Sequence, residues 1–427
     1  MSVTPAAPAR SRWLDRLGPG LITGAADDDP SGIATYSQAG AQFRFGLLWT
    51  MLLTTPLMIG IQMVSARIGW ATGRGLAANL ALVCPRWLTL AIVGALVAAN
   101  TINIAVDLAA MGQALQLLVG GRFHVYTVLF GAACIAAQVF FSYERTVSWL
   151  KWLTLALFSY VAVVMVLQVP WAEAAADALA PWRARPPDAG LAGYATMIVA
   201  VLGTTISPYL FFWQSAQEVE ELRRRPDAHR PGEPPAASRT HLRRIRIDTI
   251  VGMTFSNLIA LCIMVATAIT LNAHGVHDIQ TSAQAAQALR PIAGDFAFAV
   301  FALGIMGTGL LAVPVLAGSA AYAVSEVLGW PASLDHGFHE ARGFYLLIVA
   351  GIVVGAALDF LRIDPIRALV WSAIVNGVIA VPIMAAMMWI GQSRALLGRH
   401  VIRLPHRVLG WAATAVMAVA VVAMFAT

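Results

Sequence analysis

Apolar runs of about 20 residues recur along the chain, each long enough to cross a hydrocarbon core about 30 Å thick. Runs of this kind satisfy their backbone groups within a bilayer only as helices or as a closed barrel, and their length selects helices. Of the 427 residues, 59% are hydrophobic and only 12% are charged, with a mean hydropathy of +0.72. Soluble domains carry roughly 25% charged residues. The expected class is an all-α polytopic membrane protein with the lipid bilayer as its medium.

The first run, Gly18 to Phe45, contains what a continuous membrane helix avoids: Gly24-Ala25-Ala26-Asp27-Asp28-Asp29-Pro30-Ser31-Gly32. Pro30 lacks a backbone donor and disfavours helix at Asp29, and Gly32 weakens helix further. An aspartate at mid-bilayer depth costs about 2.5–3.5 kcal/mol on insertion scales. A broken helix with carboxylates at the break is the starting expectation for a cation site. A second break follows five spans later, at Gly203-Thr204-Thr205-Ile206-Ser207-Pro208-Tyr209. Interrupted helices at equivalent places in two five-helix halves are the mark of an inverted-repeat transporter with its site between the breaks.

The spans expected are helix 1 (Gly18–Phe45), helix 2 (Gly46–Trp70), helix 3 (Trp87–Val119), helix 4 (Val125–Phe141) and helix 5 (Val147–Val169). Helix 6 (Leu191–Glu221), helix 7 (Ile245–Leu271), helix 8 (Phe296–Leu328), helix 9 (Phe344–Phe360), helix 10 (Ile366–Ile390) and helix 11 (Val408–Phe425) complete the set. Short interfacial helices are expected at Leu76–Leu82 and Ser282–Leu289, and a Pro- and Trp-rich outside loop before helix 6. The organisation is then a tail over 1–17, a first repeat over 18–169, a second over 191–390 and helix 11 over 408–426. Within the second repeat, 222–244 reads as a mobile cytoplasmic loop, since Pro226, Pro231, Pro234 and Pro235 lie among arginines.

With the N-terminus cytoplasmic, 21 of the 28 Lys and Arg residues fall on the inside, so the net charge of +6 is topogenic and does not indicate nucleic acid. Eleven spans then put the C-terminus outside. The Arg-, Ala- and Gly-rich composition suggests a GC-rich bacterial source, hence a cytoplasmic membrane. Met1–Arg16 is short, polar and basic, with no cleavable signal expected. A transport-silent sensor is a third and less favoured reading, since it would need a signalling domain and Thr427 follows helix 11 directly. Cys84, Cys134 and Cys262 are scattered without pairing or metal spacing. No phosphate-binding glycine loop, nucleophile elbow or catalytic dyad is present, so no enzyme and no cofactor is expected. His274-x-x-His277 and His336-x-x-His339-Glu340 lack the order of a zinc protease motif.

Gly18-Pro19-Gly20, then Asp29-Pro30-Ser31-Gly32-Ile33-Ala34-Thr35, then Gln38-Ala39-Gly40-Ala41-Gln42-Phe43 resembles helix 1 of the NRAMP family of divalent metal transporters. Gln62-x-x-Ser65-Ala66-Arg67-x-Gly69-x-Ala71-Thr72-Gly73-Arg74 is similar to that family's stretch after helix 2, and Asp107-Leu108-Ala109 to its acidic segment in helix 3. The resemblance implies a LeuT-like 5+5 inverted repeat with broken helices 1 and 6, and cation transport often coupled to protons. The departures are specific. Ser31 and Gly32 stand for the Gly and the metal-binding Asn of the family's Asp-Pro-Gly-Asn. Ser207-Pro208-Tyr209 stands for Met-Pro-His, and Ala110 for a Glu in helix 3. These changes mark a divergent branch.

What remains to bind a cation is oxygen: the Asp29 carboxylate, the Ser31 and Ser207 hydroxyls and the carbonyls of the unwound backbone around Asp29 and Thr204, with Gly32 and Tyr209 as further site residues. Oxygen donors suit Mg²⁺ or Mn²⁺, and loss of the thioether removes a device favouring soft metals. The expected substrate is a divalent cation, with protons as a possible second partner. Asp27 and Asp28 either cap the second half of helix 1 or join the site. Asn100, Asn103 and Asp107 share one face of helix 3, as a proton path, a lining wall or interhelical hydrogen bonds. Asn376 either faces the site or bonds within the core, while Gln38 and Gln42 are placed in an outer vestibule. Glu218, Glu220 and Glu221 form either a solvated end paired with arginines or an exit vestibule. The competing substrate is a small organic solute, for which Ser31 and Gly32 would make room.

Overall fold

The computed structural model describes residues 18–141, 154–180, 190–224, 235–279, 282–361 and 365–426. The tail over 1–17, the start of helix 5 over 147–153 and residues 225–234 of the arginine-rich loop lie outside the described residues. Helix 1 is two helices, α1 (Pro19–Asp27) and α2 (Pro30–Phe43). Then come α3 (Leu48–Thr72), the short α4 (Leu76–Val83), α5 (Arg86–Val119) and α6 (Phe123–Phe140). A turn of 3₁₀ helix leads into α7 (Phe158–Val166), followed by α8 (Trp171–Leu179). Helix 6 is likewise double, α9 (Gly190–Thr205) and α10 (Pro208–Arg224). The remainder is α11 (Pro235–Thr270), α12 (Ser282–Leu328), α13 (Arg342–Leu358), α14 (Pro365–Gln392), a single turn α15 (Arg394–Leu397) and α16 (Leu404–Ala426). Among the described residues, eight helices are long and apolar enough to span a bilayer, and the chain is a multi-pass membrane protein.

Three expectations are corrected. The loop expected over 222–244 is shorter, because α11 begins at Pro235, with proline at a helical position where its missing donor is not needed. Arg244 in that first part is fixed by Glu221 at 3.1 Å and Glu218 at 3.4 Å. The interfacial piece over 282–289 and helix 8 join as α12, kinked at Gly294, whose φ of 79° favours glycine. The outside loop before helix 6 contains α8, whose Glu173 meets Arg44 at 2.8 Å.

Both broken helices rest on a long partner through backbone contact. α1 and α11 run parallel in register: a Cβ on Gly24 would collide with the backbone of Gly252, and one on Gly20 with Asp248 and Thr249. Asp248 accepts the N–H groups of Gly18, Gly20 and Leu21 at 2.9, 2.8 and 3.1 Å, satisfying orphan donors of the first turn. α10 docks on α3 in the same manner. Gln62 Nε2 donates to the Leu210 carbonyl at 2.9 Å and Ser65 Oγ to that of Phe211 at 2.6 Å, and Gly69 lies against Ser215. The Gln62-x-x-Ser65-x-x-x-Gly69 pattern is therefore a docking strip for the second broken helix.

Candidate functional site

The first break consists of Asp28, which ends α1 at φ −88°, and extended Asp29 (φ −65°, ψ 165°), which caps α2. Asp29 Oδ1 accepts from Gly32 N at 2.5 Å and from Ser31 Oγ at 2.7 Å. The Ser31 N–H, another orphan of that first turn, goes to Asp107 Oδ1 on α5 at 3.1 Å. Two carboxylates thus sit at the positive end of the α2 dipole, where negative charge is favoured. The sequence reading left Asp27 and Asp28 either as caps of this half-helix or as members of the site. Asp29 does the capping instead, because the chain must be extended at the residue before Pro30 and a cap residue is extended.

At the second break, Ser207 Oγ donates to the carbonyl of Thr204 at 2.7 Å, which Pro208 cannot serve, and to that of Gly203 at 2.9 Å. Thr205 donates to Val201 O at 2.7 Å and pairs with Tyr36 OH at 3.1 Å. Tyr209 OH crosses between the breaks, donating to Ala26 O at 2.7 Å with Asp29 Oδ2 at 3.5 Å. Asp29, Ser31, Thr204, Ser207 and Tyr209 are all buried.

The breaks meet beside Gly32. A Cβ placed on Gly32 would lie 3.1 Å from the Asp27 carbonyl oxygen, 3.2 Å from Thr204 Oγ1 and 3.3 Å from Asp29 Oδ1. Three oxygens from both broken helices therefore surround one point: a carbonyl of the α1 C-terminus, a hydroxyl and a carboxylate. Every donor is hard, with neither sulfur nor imidazole, and among the described residues no three His, Cys, Asp or Glu side chains converge. Any cation here is held by mixed oxygens, with water completing its shell. A side chain at position 32 would meet these oxygens at 3.1–3.3 Å, so glycine keeps the three of them exposed to one another.

The outlying candidates divide residue by residue. Asp107 joins the break through Ser31, and its Oδ2 has no partner among the described residues. Asn103 Oδ1 bonds Ser372 Oγ on α14, and Asn376 lies buried one turn further along that helix. Asn100 holds helices together through the Leu316 carbonyl and Ser319 Oγ, both at 2.9 Å. Gln38 is 3% exposed and clasps the segment after α11, accepting from Ile279 N at 2.9 Å, rather than facing a vestibule. Gln42 is half-buried. Glu218 and Glu220 are buried, not solvated: Glu220 accepts from Tyr322 and Ser333 at 2.9 Å each, and Glu218 meets Arg244. His274 and His277 turn to the carbonyls of Thr270 and Ala41. The Asp27 side chain turns to α11, where Ser256 Oγ donates to its Oδ2 at 2.7 Å, and Asp28 is buried at the end of α1. Two contributors went unread in the sequence, Asp248 and Ser256. The legible signal was polar residues spaced by eight, with Gly252 midway, inside the span of helix 7.

Residues 20–427 match the family model described as natural resistance-associated macrophage protein-like, Nramp. A divalent metal cation transporter MntH of Verminephrobacter eiseniae is 27% identical over 403 residues, covering 91% of this chain and 84% of that protein. One from Deinococcus radiodurans is 26% identical over 426 residues, covering 97% and 89%. Among solved structures, a manganese transporter of Eremococcus coleocola superposes with a TM-score of 0.78 at 15% identity, over 98% of this chain and 89% of that one. Mhp1, a nucleobase-cation-symport-1 family transporter, gives 0.56 at 13%, over 99% and 95%. The fold is the LeuT-like one that the family resemblance implies.

Proposed function

The chain belongs to the Nramp family, and on that footing we propose that it is a secondary transporter of divalent metal cations, suited to hard ions of the Mg²⁺ and Mn²⁺ kind. The observation that carries this reading is the all-oxygen cradle beside Gly32, built by Asp27, Asp29 and Thr204 from both broken helices. Asp29 supplies its charge, Tyr209 and Ser31 orient Asp29, and Ser207 keeps the second break open. Ser207 also stands where a thioether would select soft metals. Asp28, Asp107, Asn103 and Asn376 surround the cradle rather than form it.

The proposed halves are 18–169 and 191–390, moving against each other in alternating access, with 408–426 as the added helix. The proposed setting is the cell membrane with the N-terminus cytoplasmic, in keeping with 21 of 28 basic residues on that side. On the same side lies a cavity of about 230 Å³ lined by Arg74, Glu220, Arg223, Tyr322, Glu326 and His336, which would serve as the inner vestibule.

Uptake into proteoliposomes tests the reading. Mg²⁺ and Mn²⁺ should enter and compete with each other, and Cd²⁺ should compete more weakly. Uptake unaffected by Asp29→Ala, or a preference for Cd²⁺, would overturn it. Acidification of the lumen in proportion to uptake would add protons as the coupled ion.

A further inference from the structure

We propose that the end of α3 carries an anion site, made by Arg67, Arg246, Arg403 and His406, which takes the phosphate group of an anionic phospholipid. Arginines near the ends of membrane helices ordinarily extend their charge to water. Arg67 does not: it lies near the end of α3 and is only 7% exposed. Among the described residues it makes one hydrogen bond, from Nη1 to the Val401 carbonyl at 3.1 Å. Its Nε is buried there without a partner, and no carboxylate acts on it. A guanidinium with five donors, taken out of water with one bond and no counter-charge, is costly unless an anion joins it.

The neighbouring charges are of the same sign. Gly60 of α3 lies against Leu409 of α16, and the Arg67 bond to Val401 continues that contact as the helices run antiparallel. Arg403 follows Val401 by two residues, at the start of α16. Trp70 meets His400 edge-on at 4.8 Å, which fixes the turn before that helix. Ile245 of α11 packs with Met63, Ala66 and Trp70 of α3, so Arg246 stands at the same end. His406 feels Arg67, Arg246 and Arg403 together. Among the described residues no carboxylate forms an ion pair with any of the three arginines.

The second observation is the start of α16 itself. This helix of 23 residues begins at Leu404 and carries His406 and Arg407, and no acid, in its first turn. Basic groups are unfavourable at the positive end of a helix dipole, where unserved N–H groups also point outward. One negative group relieves both this end and Arg67. Guanidinium donors match two phosphate oxygens. Arg246, Arg403 and Arg407 are exposed, so the anion reaches Arg67 from outside the protein. Leu404, Val408, Ile247 and Ile250 are exposed apolar side chains on the same two helices, which places acyl chains beside the phosphate. In the proposed orientation this end meets the cytoplasmic leaflet, where basic pockets between helices hold anionic headgroups.

The purified full-length protein in a neutral detergent is heated with dioctanoyl phosphatidylglycerol, dioctanoyl phosphatidylcholine or sodium phosphate, against sodium chloride of equal ionic strength. Saturating phosphatidylglycerol should raise Tm by about 2–5 °C, and phosphatidylcholine, whose choline offsets its phosphate, by less than ~1 °C. Half-saturation should move at least about tenfold higher in Arg67→Gln and about fivefold in Arg403→Gln, the latter serving if the former fails to fold. Arg342→Gln removes the same charge from an exposed position at the start of α13 and should leave half-saturation unchanged. No shift with phosphatidylglycerol, or an undiminished shift in both site variants, would overturn the proposal. Equal weakening by Arg342→Gln would make the effect one of diffuse charge and also overturn it. A shift with sodium phosphate as large as that with phosphatidylglycerol would give the site to soluble phosphates and overturn the lipid assignment. Asp29→Ala should keep the lipid response, so this site and the metal-transport reading fail separately.

Discussion

The two breaks are alike in sequence placement and opposite in chemistry. At the second, hydroxyls of the break serve nearby carbonyls: Ser207 bonds those of Gly203 and Thr204, and Thr205 bonds Val201. At the first, the Ser31 and Gly32 N–H groups are satisfied by Asp107 and Asp29, yet Asp27 Oδ1 and Asp107 Oδ2 are buried without a partner among the described residues. One break is closed by its own hydroxyls, while the other carries an excess of negative oxygen in a dry setting. On the proposed reading the difference divides the work of holding a cation: the first break supplies charge, and the second supplies a hydroxyl and a fixed wall.

Experiments on the two breaks should therefore give unequal results. The largest effect is expected from Asp29→Ala, which removes the cradle's charge and the α2 cap. Proteoliposome uptake should fall on the order of 100-fold, about 3 kcal/mol, of which the cap accounts for roughly 1 kcal/mol. Gly32→Ala comes next. The added methyl occupies the point between the three oxygens, so uptake should fall at least about tenfold while thermal stability changes by less than ~1 kcal/mol.

Asp248→Ala tests how the first half-helix is anchored away from the cradle. Losing a carboxylate that accepts three N–H groups should cost about 2–4 kcal/mol, read in thermal unfolding, with the affinity for metal little changed. Ser207→Ala should have the smallest effect, since one donated proton is lost. About 1 kcal/mol of stability and less than a threefold change in uptake are expected. A Ser207→Ala variant as inactive as Asp29→Ala would break the contrast between the breaks.

Much of this was legible in sequence because it is local. Pro30 and Pro208 each mark a break to within a residue or two, and apolar run lengths set the spans. The oxygen-only character of the site follows from Ser207 and Gly32 standing where the family has Met and Asn. Helix 3 was legible as a polar stripe but not in its parts: Asn100 bonds α12, Asn103 bonds α14 and Asp107 bonds the break. Those partners are 76 to 269 residues away, and spacing along one helix carries no information about what it faces.

The sequence by itself determined the class, the two interruptions and the hard donors, since backbone geometry and residue chemistry depend only on neighbours in the chain. Only the tertiary structure decided which aspartate does what. Successive helical residues point about 100° apart, and the break resets that rotation. Asp29 therefore turns to Gly32 and Tyr209, while Asp27 turns to Ser256. That division was set by α11 and α3, which dock the two broken helices through Gly252 and Gly69 at backbone distance.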